Sequence, residues 1–229
     1  MTIDTSNWEY YYKLTHQRIP VESNLLYTPT MSPDGSMMCM HYCMDRTYRT
    51  NTPAELSEEL IDWFFNREVK FLKELSHCDY TPTVYEVDMT NRKIIIEWNK
   101  ETLSQIVFNP ARDLDQELPD WREQIGQMLK DTKRQEYYKM SLYPHCFFIS
   151  KEGKLKTIDY YCVVPFSERF IERKIIEGVI GKQGAYRFDE STDNGQLDFK
   201  KFFEITLTQH LENYWPVSPF SKLFEEIYK

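Results

Sequence analysis

The chain has 229 residues, of which 41% are hydrophobic and 28% charged, which suits one large domain or two smaller lobes around a real core. Its net charge of −8 argues against broad binding of nucleic acid or of anionic membranes, because both require clustered Lys and Arg. Five scattered cysteines with no CxxC pair, no apolar leader and no long apolar run predict a cytoplasmic protein with reduced thiols and no membrane span.

The first predicted elements are the two strands of a β-hairpin, over residues 25–30 and 36–44. They flank the turn-forming sequence Ser32-Pro33-Asp34-Gly35. A helix follows, because residues 52–55 have the spacing of a capping box with a proline at the first helical position. Apolar residues at spacings of three and four predict its buried face: Leu60, Ile61, Phe64, Phe65, Phe71, Leu72 and Leu75.

One carboxylate interrupts this apolar face. Glu68 lies four residues after Phe64 and four before Leu72. If it is buried, it has to be paired or neutralised. The alternative is that Glu68 lies at the edge of the stripe and reaches water.

The rest of the chain mixes short strands with helices. Strands are predicted over 83–88 and 93–98, a short helix near 103–108, and a longer helix from 119 or 120 towards 138. A loop over 143–146 leads to a hairpin of strands 147–149 and 155–159, and helices are predicted near 167–180, 196–214 and 219–228. The order predicts an α+β fold with a sheet-bearing N-terminal part and a mainly helical C-terminal part.

This order resembles the bilobal protein-kinase-like fold. Residues 67–75 are similar to the helix that carries the ion-pairing glutamate of the family, and residues 93–98 to the strand that runs into the hinge. Residues 141–149 and 155–160 resemble the catalytic loop and the strand that ends at the metal-binding aspartate, here Asp159. The resemblance implies a β-rich N-lobe over 1–98 and a reduced C-lobe over 99–229, and small kinase-like proteins of marine bacteriophages look similar.

Several residues that an active kinase needs are replaced. The resemblance places Ser141 at the catalytic aspartate and Cys146 at the metal-binding asparagine, and a thiol is a poor ligand for Mg²⁺. The lysine that holds the phosphates is absent from the expected strand, where His41 is the closest match. Of the charged groups, Glu68 and Asp159 remain.

The candidate site residues follow from this comparison. The catalytic candidates are His145, Ser141 and Lys139, although His145 also fits a structural role and Lys139 a solvated helix end. The resemblance implies that the cofactor would be ATP with Mg²⁺ or Mn²⁺, and the alternative is that the chain binds no cofactor. The candidates for binding a cofactor are Glu68, His41, Asp159, Glu97 and Trp98. Asp159 alone is the candidate metal ligand, and its alternative role is to cap or pair locally at the end of a strand.

Three functions fit these observations. The first is a catalytically degenerate, pseudokinase-like module that binds a protein partner or a nucleotide. The second is an atypical metal- and ATP-dependent phosphotransferase acting on a small molecule, a sugar or a lipopolysaccharide core. The third is an unrelated α+β interaction domain. Convergence of Glu68, His41 and Asp159 on one cleft would favour ligand binding, whereas aromatic side chains filling that cleft would favour a partner-binding scaffold.

Overall fold

The structure, a computed structural model, describes residues 2–11, 27–43, 58–139, 144–168, 170–172, 192–193, 196–198 and 201. Its helices are α1 (Glu58–Glu74), α2 (Leu103–Val107), α3 (Leu114–Glu117) and α4 (Trp121–Arg134). Its strands are β1 (Glu9–Tyr10), β2 (Thr28–Met31), β3 (Met37–His41), β4 (Val84–Asp88), β5 (Lys93–Glu97), β6 (Tyr137–Lys139), β7 (Phe147–Ile149), β8 (Leu155–Thr157), β9 (Val163–Pro165), β10 (Phe170–Glu172), β11 (Thr192–Asp193) and β12 (Gln196–Asp198).

The N-terminal strands form one five-stranded antiparallel sheet in the order β1-β2-β3-β5-β4. The predicted hairpin is confirmed: β2 and β3 pair with Thr30 opposite Cys39, and Gly35 supplies the left-handed turn residue with φ 73°. The predicted strands around the turn at 89–92 are β4 and β5. β4 lies at the edge of the sheet and carries a bulge between Val84 and Glu86.

Helix α1 buries its predicted apolar face in the core that it shares with this sheet. Ile61, Phe65 and Phe71 are almost completely buried, and burying each such side chain contributes roughly 1.5–3 kcal/mol. The prediction of the buried face is therefore confirmed over the described residues. The predicted capping box at 52–55 lies outside them.

Helix α4 is shorter than predicted. It ends at Arg134, and Glu136 adopts a left-handed conformation with φ 60° that breaks the helical path. Residues 137–139 then form β6, which pairs with β9 so that Tyr138 lies opposite Val164. The expectation of helix up to residue 138 was wrong because cross-strand pairing outweighs helical propensity here.

The C-terminal part also holds more strand than predicted. Residues 170–172 and 196–198 form β10 and β12, which pair with Phe170 opposite Asp198, although both segments were expected to be helical. Apolar spacing over short segments does not distinguish the two states, and a pairing partner distant in sequence decides the outcome. The expected helix at 219–228 and most of the other two lie outside the described residues.

A single cluster of buried side chains runs from the sheet through α1 to the hairpin of β7 and β8. The α+β class is confirmed, whereas the mainly helical C-terminal part is not found in the described residues. None of the described helices is long and apolar enough to cross a membrane. This continuous core fixes α1 against the segment that follows β8, where the candidate site lies.

Candidate functional site

Glu68 is completely buried on the inner face of α1. The backbone N–H of Tyr161 donates to Glu68 Oε2 at 2.5 Å, while Oε1 has no hydrogen-bond partner among the described residues. Burial, and then the nearby negative charge of Asp159, raise the pKa of Glu68 to about 8, although the backbone donors and Lys139 oppose this rise. The alternative that Glu68 reaches water is therefore wrong.

Asp159 follows β8 and lies at the start of a short 3₁₀ turn, Tyr160–Cys162. Its backbone is left-handed, with φ 64° and ψ 53°, which is uncommon for a residue with a Cβ and is often found at functional positions. The side chain is enclosed. The Tyr27 hydroxyl donates to Oδ1 at 2.7 Å, and the Cys146 thiol donates to Oδ2 at 3.2 Å.

The environment of Asp159 pulls its pKa in two directions. Burial is the larger influence and raises the pKa, whereas the positive charge of Lys139 and the hydrogen bonds from Tyr27 and Cys146 lower it. A buried carboxylate needs this kind of compensation. Here the protein itself supplies the compensation.

Lys139 brings the cation to this cluster. It ends β6 and is 1% exposed, so the prediction of a solvated helix-end lysine was wrong. Its Nζ donates to the carbonyl oxygen of Ile158 at 2.7 Å and to that of Asp159 at 3.3 Å, and it lies 5.4 Å from the centre of the Tyr160 ring. Its positive charge lowers the pKa of both buried carboxyl groups.

The charges of the cluster nearly balance. With a pKa of about 8, Glu68 is mostly protonated at pH 7, so the Lys139 ammonium shares the site with at most one full carboxylate charge. An unpaired buried charge is strongly unfavourable, whereas a matched pair with further hydrogen bonds is tolerated. This protonation pattern therefore lets the cluster stay buried.

Arg67, the residue before Glu68, links the same helix to the segment after Asp159 through hydrogen bonds and an ion pair. Its Nε and Nη2 donate to the carbonyl oxygen of Val163 at 3.1 and 2.7 Å, and its Nη1 lies 2.7 Å from Glu168 Oε2. The guanidinium also stacks over Trp63, 4.9 Å from the ring centre. This contact was not predicted, and its one signal in the sequence is a cation adjacent to the predicted glutamate.

Aromatic rings occupy the space between β3, α1 and the Asp159 segment. Tyr42 lies 5.3 Å from Tyr27, 5.6 Å from Phe65 and 6.5 Å from Tyr161, measured between ring centres. Phe64 makes an edge contact with Tyr161 at 5.6 Å. All five side chains are buried, which accords with the high aromatic content of the chain.

His41 does not join this cluster. On β3, Met38 and Met40 belong to the core beneath α1, and the alternation of the strand places His41 on the other face with Cys39. Glu68 and Asp159 converge as expected, whereas the face of β3 that belongs to the core carries Met38 and Met40, followed by the buried Tyr42. Ser141 and the His145 side chain lie outside the described residues.

Glu97 and Trp98, two of the candidates for binding a cofactor, both make contacts within the fold. Glu97 Oε2 lies 2.9 Å from Lys156 Nζ and accepts a hydrogen bond from the Thr83 N–H at 3.1 Å. Trp98 is 2% exposed and packs between Tyr11, at 5.4 Å, and Phe148, at 4.7 Å. Whether either residue binds a cofactor stays a prediction.

The donors around Asp159 do not suit a magnesium ion in this arrangement. Mg²⁺ needs oxygen ligands in an open octahedral arrangement, but both Asp159 oxygens accept hydrogen bonds and the neighbouring group is the Cys146 thiol. The described residues also include no group of three or more His, Cys, Asp or Glu side chains placed to hold a metal ion. A metal at Asp159 would have to displace Tyr27 and Cys146.

Comparison with known proteins finds a likeness of fold at low sequence identity. No protein-family model and no curated protein matches the sequence. A medium-resolution structure of the bifunctional kinase-methyltransferase WbdD is similar, with 11% sequence identity and a TM-score of 0.50 over 96% of this chain. A crystal structure of monomeric WbdD has 12% identity and a TM-score of 0.48 over 89% of this chain. The aligned region is 45% of each WbdD chain, and at this identity the likeness concerns the fold alone.

Proposed function

We propose that this chain is a catalytically degenerate, kinase-like binding module with a bilobal arrangement whose hinge lies near Trp98. It binds a partner and transfers no phosphoryl group. The enclosure of Asp159 carries the proposal. The carboxylate that would hold the metal is 3% exposed, and Tyr27 and Cys146 bind its two oxygens.

The substitutions in the chain support the same function. Phosphoryl transfer depends on positioned metal ions and on cations that stabilise the charge of the transferred group. In the described cluster the only cation is Lys139, and its ammonium binds the backbone of Ile158 and Asp159. The resemblance aligns Cys146 with the second metal-binding oxygen ligand of the family. Its thiol instead donates a hydrogen bond to Asp159.

The aromatic packing favours a protein partner over a nucleotide. Tyr27, Tyr42 and Tyr161 fill the region in which a phosphate-binding lysine and its glutamate would meet, and Trp98 is packed between two rings. Placing a charged triphosphate there would require these rings to move and the buried charges to be rearranged. A surface contact with another protein requires neither.

An atypical metal- and ATP-dependent kinase is the second candidate. The observation that favours it is the convergence of Glu68, Lys139 and Asp159, three chargeable groups, on one buried cluster. Clusters of buried chargeable groups are found both at active sites and in structural networks. The kinase-like fold likeness speaks against the third possibility, an unrelated interaction domain.

A phosphoryl-transfer assay separates the first two functions. Purified protein is incubated with γ-labelled ATP, Mg²⁺ or Mn²⁺, and a panel of sugar, lipopolysaccharide-core and protein acceptors, beside the matched variant Asp159→Asn. The binding module predicts no labelled product beyond the level of Asp159→Asn. Transfer that needs the metal and disappears in Asp159→Asn would overturn the proposal in favour of the atypical kinase.

A further inference from the structure

An apolar groove lies between α1 and β4. It has a volume of about 650 Å³, within the range of protein sites that hold a ligand or a large side chain. Val69 and Leu72 of α1 form one wall, and Val84 and Val87 of β4 form the other. None of Glu68, Lys139 and Asp159 lines it.

Three large apolar side chains are exposed along the edge of the sheet. β4 is the terminal strand, and Tyr85, Val87 and Met89 on it and just after it are 50%, 37% and 57% exposed. The same strand carries the carboxylates of Glu86 and Asp88, so this edge combines exposed apolar side chains with negative charge. Charges on an edge strand limit non-specific pairing with other strands. Large exposed apolar side chains beside a groove are common at protein interaction sites.

A second groove of about 450 Å³ adjoins the first and shares His77, Cys78, Asp79 and Lys154 with it. Its remaining charged lining is mostly acidic and includes Asp120 and Glu123. Neither Asp79 nor Glu123 has an ion-pair partner among the described residues. This groove is therefore suited to receive positive charge.

The two grooves differ in charge. Around the apolar groove, Lys73 and Lys154 offset Asp79 and Glu152, and Lys156 pairs with Glu97. Around the second groove the carboxylates outnumber the cations: Asp79, Asp120, Glu123 and Asp131 face Arg134 and Lys154. Arg134 pairs with Asp131 there. The net charge of −8 for the whole chain adds to the attraction of a basic partner.

We propose that these joined grooves bind a segment of a partner protein in which a bulky apolar residue lies next to Lys or Arg. The apolar side chain enters between α1 and β4, and the basic side chains reach Asp79, Asp120 and Glu123. A single buried apolar anchor with charges at its rim is a common arrangement in protein interfaces. This site gives the proposed binding module a defined partner chemistry, but it does not depend on the state of Asp159, so the transfer assay and the binding test fail independently.

The first experiment identifies sequences that bind. A phage-displayed library of short random peptides is selected on the immobilised full chain, and enriched peptides are synthesised with a fluorescent label for anisotropy titration. We expect the enriched peptides to share a bulky apolar residue close to Lys or Arg. Enrichment of peptides with acidic residues beside the apolar one, or no enrichment above background, would overturn the proposal.

Matched variants then test where the peptides bind. Val87→Lys places a charge in the apolar groove and should weaken binding by about tenfold or more, and Glu123→Lys should weaken it by a smaller factor that shrinks at high salt. The controls Phe108→Lys and Glu9→Lys change exposed residues outside both grooves and should leave the affinity unchanged. Equal affinity for Val87→Lys and wild type would refute the site, and sedimentation showing that the chain associates with itself through this face would replace the partner with a second copy.

Discussion

Glu68→Gln is expected to stabilise the protein at neutral pH. The change removes the ionisable group but keeps an oxygen that can accept the Tyr161 N–H. In the folded protein the pKa of Glu68 is about 8, against an ordinary value of 4.5. As pH rises, the unfolded chain loses this proton first, so the contribution of Glu68 to stability falls between pH 4.5 and 8.

The magnitude follows from the same two pKa values. At pH 7 the unfolded carboxyl group is ionised and the folded one is mostly protonated, which disfavours folding by about 3 kcal/mol. Glutamine removes this term but places an amide N–H₂ at the position of the unpartnered Oε1, which costs about 1–2 kcal/mol. The net gain at pH 7 is on the order of 1–2 kcal/mol, and it disappears near pH 5, where the unfolded carboxyl group is also partly protonated.

Urea unfolding at pH 5, 7 and 8, followed by tryptophan fluorescence, measures this difference. The free energy of unfolding of Glu68→Gln relative to wild type should rise with pH. Glu59→Gln on the exposed side of the same helix provides the control and should show no such trend. A Glu68→Gln variant that is less stable than wild type at all three pH values would refute the protonated, buried state of Glu68.

Two further changes test the contacts around this carboxyl group. Lys139→Met should destabilise the fold by roughly 3–5 kcal/mol in urea unfolding, because it leaves a buried carboxylate without its cation. Adding Asp159→Asn to this variant should restore part of the lost stability. If the effects of the two substitutions on stability are additive, Lys139 and Asp159 do not interact. Arg67→Lys should lower stability by about 1–3 kcal/mol, because an ammonium cannot reproduce the paired donation to the Val163 carbonyl. Amide hydrogen exchange of residues 161–168 should then become faster in Arg67→Lys, and unchanged exchange would contradict the role of this contact.

The elements that the sequence predicted well are those with strong local patterns. The turn at Ser32–Gly35 and the apolar face of α1 follow from residue type and spacing alone. The strands at 137–139, 170–172 and 196–198 were missed because their partners lie far along the chain. Short segments of this kind take their conformation from pairing, which local spacing does not reveal.

The same distinction holds for the candidate site. The order of motifs indicated that Glu68 and Asp159 would lie together, and the structure places both beside Tyr161 and Lys139. The enclosure of Asp159 by Tyr27 could not be predicted, since the two residues are 132 positions apart and no motif links them. Strand alternation alone puts His41 on the same face of β3 as Cys39, but spacing does not indicate that the opposite face, with Met38 and Met40, is the one that packs in the core.

The most direct test of the account is a thermal shift of the purified protein with ATP, with Mg²⁺ or Mn²⁺, and with both. A ligand that binds only the folded state stabilises it by RT ln(1 + [L]/Kd), about 2.7 kcal/mol at a hundredfold excess over Kd. For a chain of this size, that corresponds to several degrees. The enclosed Asp159 predicts no metal-dependent shift at millimolar ligand, whereas a clear shift that requires ATP and metal together would contradict the account and indicate a working nucleotide site.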